Sequence, residues 1–293
     1  MLGPCRRADL ERATRSALAC GALRPIETEQ VIVEDAGVGF LVRVVSSLRR
    51  KEADKRRTLF SRNGSAPPRN PFLPPEPELT LGEVSRTHVA VLNKFNVLDY
   101  HLLIVTQEFE HQETLLTVGD FRALLACMAQ YPSLGFYNGG AAAGASQPHK
   151  HLQLVPLPLT PNGPPLPMAP LLAGPGPRCP DLPFAHAFCR SSGPIAGRSI
   201  RAAREAHALY MELLAELDIG AETVEGEPRQ SAPYNLLIAS DWMLAVPRAT
   251  ERFHDISVNA LGFAGSLFVK DPEQLALIGE EGPMRVLQSV AGR

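Results

Sequence analysis

Gly144-Ala145-Ser146-Gln147-Pro148-His149-Lys150-His151-Leu152-Gln153-Leu154-Val155 joins a loop of small residues to a segment with the period of a β-strand. Side chains on a strand alternate between faces. The pattern therefore places His149, His151 and Gln153 on one face and turns Leu152 and Leu154 to a core. Two imidazoles and an amide in a row form a polar strip that needs partners or a ligand. An imidazole with an ordinary pKa near 6.5 offers a neutral, attacking nitrogen at physiological pH, while its second nitrogen is held by an acceptor. The preceding residues 144–147 suit a phosphate, because glycine and small residues let backbone N–H groups approach oxygens closely, and Ser146 and Gln147 add donors. Three readings stay open at this point. The histidines are satisfied strand residues; or they ligate a metal, with Glu108, Glu110, His111 and Glu113 recruited only through the fold; or one of them is a nucleophile.

Outward from this segment, short apolar stretches at 87–93, 101–106 and 134–138 read as strands, and 39–48 as another. Residues 234–239 and 242–246 form a hairpin around Ser240-Asp241. Helical spacing runs over 9–22, with Asp9 as N-cap, over 113–131, with Asp120 capping its main part, and over 200–217. Helix pieces follow at 275–278 and 283–290, and 257–268 begins as a loop and ends as a strand. Residues 61–79 form a long irregular excursion, and the proline-rich stretch 156–180 reads as a linker or surface meander. No regular βαβ rhythm and no Gly-rich dinucleotide or P-loop fingerprint is present, so an α+β fold on an antiparallel sheet is expected. The expected division is an N-terminal part at 1–160, a proline-rich segment at 161–182 and a C-terminal part at 183–293 that completes the same site.

Composition narrows the function classes. Of 293 residues, 45% are hydrophobic, enough for a sizeable core. A net charge of −2 gives no global field toward nucleic acid or anionic membrane, so nucleotide chemistry has to come from a local site. The 5 cysteines form no CxxC pair and are expected to be buried or idle thiols. The N-terminus lacks the apolar core of a signal peptide, and no stretch approaches the roughly 18 apolar residues of a membrane span; a cytoplasmic location is the expectation.

At the histidine segment the chain resembles the histidine triad superfamily, in the transferase branch with a His-x-His-x-Gln motif, and within it the diadenosine tetraphosphate phosphorylases, or ATP adenylyltransferases. The resemblance extends to Asn70-Pro71-Phe72, Leu92-Asn93-Lys94-Phe95-Asn96-Val97, Gly135-Phe136-Tyr137-Asn138-Gly139-Gly140, Tyr234-Asn235-Leu236-Leu237, Trp242-Met243, Val246-Pro247-Arg248 and the block from Ser257 to Gly265. It implies a histidine-triad-like antiparallel sheet with flanking helices. It implies that His151 attacks the α-phosphorus and carries AMP, that His149 supports it, and that Gln153 stands where hydrolases of the superfamily have a third histidine. An amide is a poor proton donor or base at neutral pH, which suits transfer to phosphate over hydrolysis.

The same resemblance implies phosphate and nucleotide contacts from Asn138, Gly144, Ala145, Ser146 and Gln147, and a base and ribose side at Asn93 and Lys94. Lys51, with Arg50 next, is implied on the polyphosphate tail. Asn259, Gly262, Phe263, Ser266 and Lys270 are implied to close over the second nucleotide or phosphate. Ser266 replaces a larger apolar residue, and Ala141-Ala142-Ala143 a more polar insert. The implied reaction converts diadenosine tetraphosphate and phosphate to ADP and ATP, with Mg2+ carried by the substrate phosphates and no protein cage for it. A hydrolase, a sulfate-using adenylyltransferase and a nucleotide-sensing binding protein remain the alternatives.

Overall fold

The computed structural model describes residues 5–44, 70–161, 163–172, 176–191, 193–195 and 197–292. Lys51, Arg50 and the rest of the basic run lie outside them. In chain order the elements are α1 (Arg7–Ala19), β1 (Glu29–Asp35), β2 (Val38–Val44), β3 (Thr80–Glu83), β4 (His88–Leu92), β5 (Leu102–Thr106), α2 (Val118–Met128), β6 (Ser133–Gly139) and β7 (His151–Pro156). Then follow β8 (Ala187–Arg190), α3 (Ile200–Ala215), β9 (Ala221–Val224), β10 (Glu227–Gln230), β11 (Tyr234–Ile238), β12 (Trp242–Pro247), β13 (Arg252–Phe253), β14 (Ile256–Ser257), β15 (Ser266–Val269), α4 (Pro272–Glu281) and α5 (Pro283–Val290).

The main sheet has 8 strands in the order β3-β4-β5-β7-β6-β11-β12-β8. Every neighbouring pair is antiparallel, as the missing βαβ rhythm predicts. β7 lies inside it, between β5 and β6. Leu152 and Leu154 face one core, with Phe121, Leu124 and Leu125 of α2 and Tyr210 and Leu213 of α3. Val155, Phe136, Leu237 and Leu244 face a second core, with Phe40 and Val42 of β2 and Phe263, Leu267 and Leu287 of the C-terminal block. Each buried leucine contributes about 1.5–3 kcal/mol. A one-residue slip of β7 would exchange Leu152 and Leu154 for His151 and Gln153, so burial itself fixes the register. β15 runs parallel to β2 and closes the smaller sheet β1-β2-β15 over the second core.

Several expectations need correction. α1 starts at Arg7 with no side-chain cap; Asp9 sits in its first turn, bound to Arg6 at 2.9 Å and Arg12 at 2.7 Å. α2 begins only at Val118, where Thr117 and Asp120 form a capping box. The preceding residues are drawn off by tertiary bonds: Gln112 N–H to the Pro148 carbonyl at 2.7 Å, and Leu116 N–H to the Tyr210 hydroxyl at 3.1 Å. The proline-rich stretch is not a free linker, because Leu159, Leu166, Met168, Leu172 and Cys179 are buried in the second core. Cys5 and Cys127 are paired as a disulfide, with Cα atoms 5.1 Å apart, in place of the idle thiols expected. Their separation of 122 residues carries no spacing signal. The β9–β10 hairpin escapes the hydrophobic pattern because it is largely exposed and polar, and β1 has only the short run Val31-Ile32-Val33 between polar, exposed ends.

Candidate active site

A cavity of about 480 Å³ opens on the second face of the sheet. His151 and Gln153 line it from β7, Asn138 from β6, Asn93, Lys94 and His101 from the β4–β5 connection, and Asn259 and Lys270 from the C-terminal block. Gly144, Ser146 and Gln147 complete the wall.

His151 is 4% exposed, and burial pulls its pKa down to about 4, so the imidazole is neutral at physiological pH. Its Nδ1–H donates to the His149 carbonyl at 2.8 Å. That bond assigns the lone pair to Nε2, which makes no hydrogen bond among the described residues. β6 and β7 part beyond the Phe136–Gln153 pair. The buried Gln112 fills the gap: its Oε1 accepts the His151 N–H at 2.8 Å, and its Nε2 donates to the Asn138 carbonyl at 2.9 Å. Gln112 therefore fixes the backbone on both sides of the His151 ring.

A second chain of bonds sets Gln153. The Asn93 Oδ1 accepts the Phe95 N–H at 3.4 Å, which turns its Nδ2 to His101 Nδ1 at 3.1 Å. His101, neutral because burial lowers its pKa to about 4, then carries its proton on Nε2 and donates to Gln153 Oε1 at 2.9 Å. The Gln153 amide thus keeps its N–H2 end for the cavity. A donor there favours an anion.

His149 departs from the simple strip. The regular ladder of β7 starts at His151, while His149 makes an isolated bridge with His111. Its Nε2–H donates to the Thr106 carbonyl at 2.8 Å, and its Nδ1 accepts from Asn70 at 2.9 Å. The ring is fully buried between Phe72 and Phe109 and does not line the cavity. Its link to His151 is the backbone carbonyl. Behind it, the fully buried Lys150 pairs with Glu110 at 2.9 Å and Asp120 at 3.0 Å, and Asp120 also pairs with His88 at 2.8 Å. Burial would raise the pKa of Asp120, but the His88 bond and the Lys150 charge hold it well below the usual carboxylate range.

The structure thus brings together His151, Gln153, Asn93, Lys94, Asn138, Gly144, Ser146, Gln147, Asn259 and Lys270. Lys94 is ion-paired with Glu76 at 2.7 Å across the cavity rim. Gly144 has φ +90°, and a Cβ there would stand 2.9 Å from Asn259 Cβ, so glycine is required where the two halves meet. Four expected contacts do not reach the cavity. The Ala145 N–H is spent inside the turn on the Gly140 carbonyl at 3.1 Å. Gly262 packs against Val258, Leu267 and Leu287, and Phe263 is buried against Phe184 and Arg248. Ser266 is fully buried and accepts from Arg43 at 2.8 Å. These three point into the second core because the turn Ala260–Ala264 and β15 lie over it. Lys51 falls outside the described residues. His101, Gln112, Thr106 and Asn235 contribute without having been singled out as site residues; each is an ordinary polar residue in a strand or loop, with no spacing signal.

The arrangement suits nucleophilic attack on phosphorus: a neutral imidazole with a pinned tautomer, amide donors around it, and lysines at the rim. Among the described residues no group of three or more His, Cys, Asp or Glu is placed to hold a metal ion.

Comparison with known proteins agrees with this chemistry. The family described as the Ap4A phosphorylase N-terminal domain matches residues 6–174, and that of the ATP adenylyltransferase C-terminal domain matches residues 180–293. Saccharomyces cerevisiae protein APA1 is 27% identical over 297 residues, covering 91% of this chain and 87% of the yeast protein. Diadenosine 5',5'''-P1,P4-tetraphosphate phosphorylase 2 of the same yeast is 27% identical over 253 residues, covering 75% of each. The crystal structure of yeast Ap4A phosphorylase Apa2 superposes with a TM-score of 0.77 at 23% identity, over 99% of this chain and 98% of that one, which shows a shared fold. The first family match spans more than half of the chain and the second takes up nearly all the rest, so the chain belongs to the Ap4A phosphorylase family.

Proposed function

We propose that this protein is a nucleotidyltransferase that cleaves diadenosine tetraphosphate with phosphate to give ADP and ATP, through AMP held on His151. The observation that carries the reading is the pinned tautomer of His151: neutral, Nδ1–H on the His149 carbonyl, Nε2 unprotonated at the cavity. In the first step Nε2 attacks the α-phosphorus, an N–P bond forms, and the P–O bond to the leaving ATP breaks. Positive charge then develops on the imidazole, and the Nδ1–H bond to the His149 carbonyl strengthens. Asn138, Gln153, Ser146 and Gln147 supply donors to the phosphate oxygens, which is where catalysis of such transfers resides. In the second step phosphate attacks the same phosphorus and releases ADP; the reverse sequence makes the dinucleotide.

The Gln153 amide, held by His101, offers the intermediate neither an acid nor a base, which favours phosphate over water as acceptor and transfer over hydrolysis. Lys51 belongs to this reading as a contact to the polyphosphate. Magnesium enters as the counter-ion of the substrate phosphates. A cytoplasmic location goes with substrates of this kind; among the described residues no helix is long and apolar enough to cross a membrane.

The test is incubation with labelled diadenosine tetraphosphate, with and without phosphate. An acid-labile AMP adduct and phosphate-dependent ADP release are expected. His151→Ala abolishes both. His149→Ala keeps the carbonyl that holds His151 and slows turnover without abolishing it. Full activity of His151→Ala, or equal rates without phosphate, refutes the reading.

A further inference from the structure

Arg248 and Asn235 lie outside the cavity but set one of its walls. Both are buried, at 3% and 1% exposure. Asn235 stands on β11 directly opposite Asn138 on β6. Arg248 follows β12, and its guanidinium is held by backbone carbonyls: Nε donates to Val290 at 3.1 Å, and a terminal nitrogen donates to Thr250 at 2.8 Å. The other terminal nitrogen donates to Asn235 Oδ1. A guanidinium has no acceptor, so Asn235 must show it oxygen.

That choice propagates. With its oxygen on Arg248, Asn235 turns its Nδ2 to Asn138 Oδ1 at 2.8 Å and to the Ala143 carbonyl at 2.8 Å. Asn138 Oδ1 also accepts the Ala260 N–H at 3.0 Å. Both bonds to Asn138 use its oxygen, so its N–H2 end is left for the cavity that the residue lines. The reversed amide would set donor against donor at both contacts. An obligate donor at one end thus fixes the direction of every amide along the chain, and bonds in such a series polarise one another.

We propose that Arg248 and Asn235 are positioning residues, which orient the Asn138 amide as a hydrogen-bond donor to the α-phosphate of the bound nucleotide. The proposal rests on the functional reading above and adds the residues that make one of its donors a donor. The same two residues hold the Ala143 carbonyl, so the phosphate loop and the Asn138 amide share one anchor from the C-terminal half.

The experiment compares Asn235→Asp and Asn235→Ala, alone and in an Asn138→Ala background. Single-turnover formation of the AMP adduct, AMP affinity by calorimetry and melting temperature are measured. In Asn235→Asp the carboxylate accepts from Arg248 and keeps the packing, but it cannot donate to Asn138. The Asn138 oxygen then faces a carboxylate oxygen on one side while the Ala260 N–H still holds it on the other, so the amide is pushed toward reversal and its donor to the phosphate is weakened. Adduct formation is expected to fall roughly 100-fold, the scale of losing one preorganised donor to the reacting group, with kcat more affected than KM. Asn235→Ala removes the opposing group, and the Ala260 N–H alone keeps the Asn138 oxygen turned inward, so the loss is smaller than in Asn235→Asp. A merely structural role gives the opposite order, the isostere being the milder change. In the Asn138→Ala background the two variants draw together, since what remains is the loss of the Ala143 bond that both share.

An Asn235→Asp rate within threefold of wild type overturns the proposal. So does Asn235→Ala as the slower variant, or an Asn235→Asp deficit as large without the Asn138 amide as with it. If Asn235→Asp does not fold, Asn138→Asp takes its place: it must be slower than Asn138→Ala, and equal rates overturn the proposal. If wild type itself fails to turn over the dinucleotide, the functional reading falls. AMP binding then still decides the orientation, since only the proposal has Asn235→Asp bind AMP more weakly than Asn235→Ala.

Discussion

Lys150→Met removes the buried charge between His149 and His151 in sequence and nearly preserves volume, so its effect isolates electrostatics. Lys150 has no exposed side-chain surface and meets two carboxylates of different exposure: Asp120 at 1% and Glu110 at 43%. Glu110 can rehydrate and accounts for about 1 kcal/mol at most. Asp120 cannot; it keeps only His88 and the capping bonds from Thr117. Breaking one side of a buried pair costs about 3–5 kcal/mol, a large share of the roughly 5–15 kcal/mol by which a domain is stable. The Lys150 Nζ bond to the Leu115 carbonyl, at 3.1 Å, is lost as well.

The assay is urea unfolding at several pH values. The folded pKa of Asp120 is depressed in the wild type, so its contribution is present above the unfolded value near 3.8 and is lost as pH falls through the folded value. Without Lys150 the folded pKa rises and that contribution shrinks. The deficit of the variant is therefore largest at neutral pH and narrows below about pH 4. Adding Asp120→Asn to Lys150→Met removes the stranded charge and restores part of the loss. A deficit below about 1 kcal/mol at pH 7 would refute the reasoning, as would a deficit independent of pH or no recovery in the double variant.

Other outcomes follow from the site. The pH profile of adduct formation should stay flat from neutrality down past the ordinary histidine pKa and fall only as His151 protonates near its depressed value of about 4; a break near 6.5 would remove the buried neutral nucleophile. Gly144→Ala combines a positive φ with a Cβ 2.9 Å from Asn259, so the loop and Asn259 must separate; KM for the dinucleotide should rise and the melting temperature fall, and unchanged kinetics would count against that junction. His101→Phe strands Gln153 Oε1 and should cost about 1–3 kcal/mol in chemical denaturation, along with a larger share of the AMP adduct lost to water; unchanged stability would show that the Gln153 oxygen has another partner.

Much of the fold was legible because its signals are local. The period of two in residues 149–155 placed Leu152 and Leu154 in a core and His151 and Gln153 on the opposite face, which the structure bears out. The Ser240-Asp241 hairpin and helix α3 were equally plain, since turn residues and helical spacing are read within a few positions. The β9–β10 hairpin was not, because exposed strands carry no apolar alternation, nor was β1, with only the short run Val31-Ile32-Val33 between polar ends. The start of α2 was misplaced by bonds to Pro148 and Tyr210, residues distant in sequence.

The site divides along the same line. The sequence by itself marked the His149–Gln153 strip and the small-residue loop, since these are neighbours along the chain, and the family resemblance singled out His151 in it as the candidate nucleophile. Tertiary structure alone decided which nitrogen of His151 is free, where the His149 ring goes, that Ala145, Gly262, Phe263 and Ser266 turn away from the cavity, and that His101 and Arg248 set the direction of Gln153 and Asn138. The physical reason is that a hydrogen bond has a direction set by its partner, and these partners arrive from strands and loops that only folding brings together.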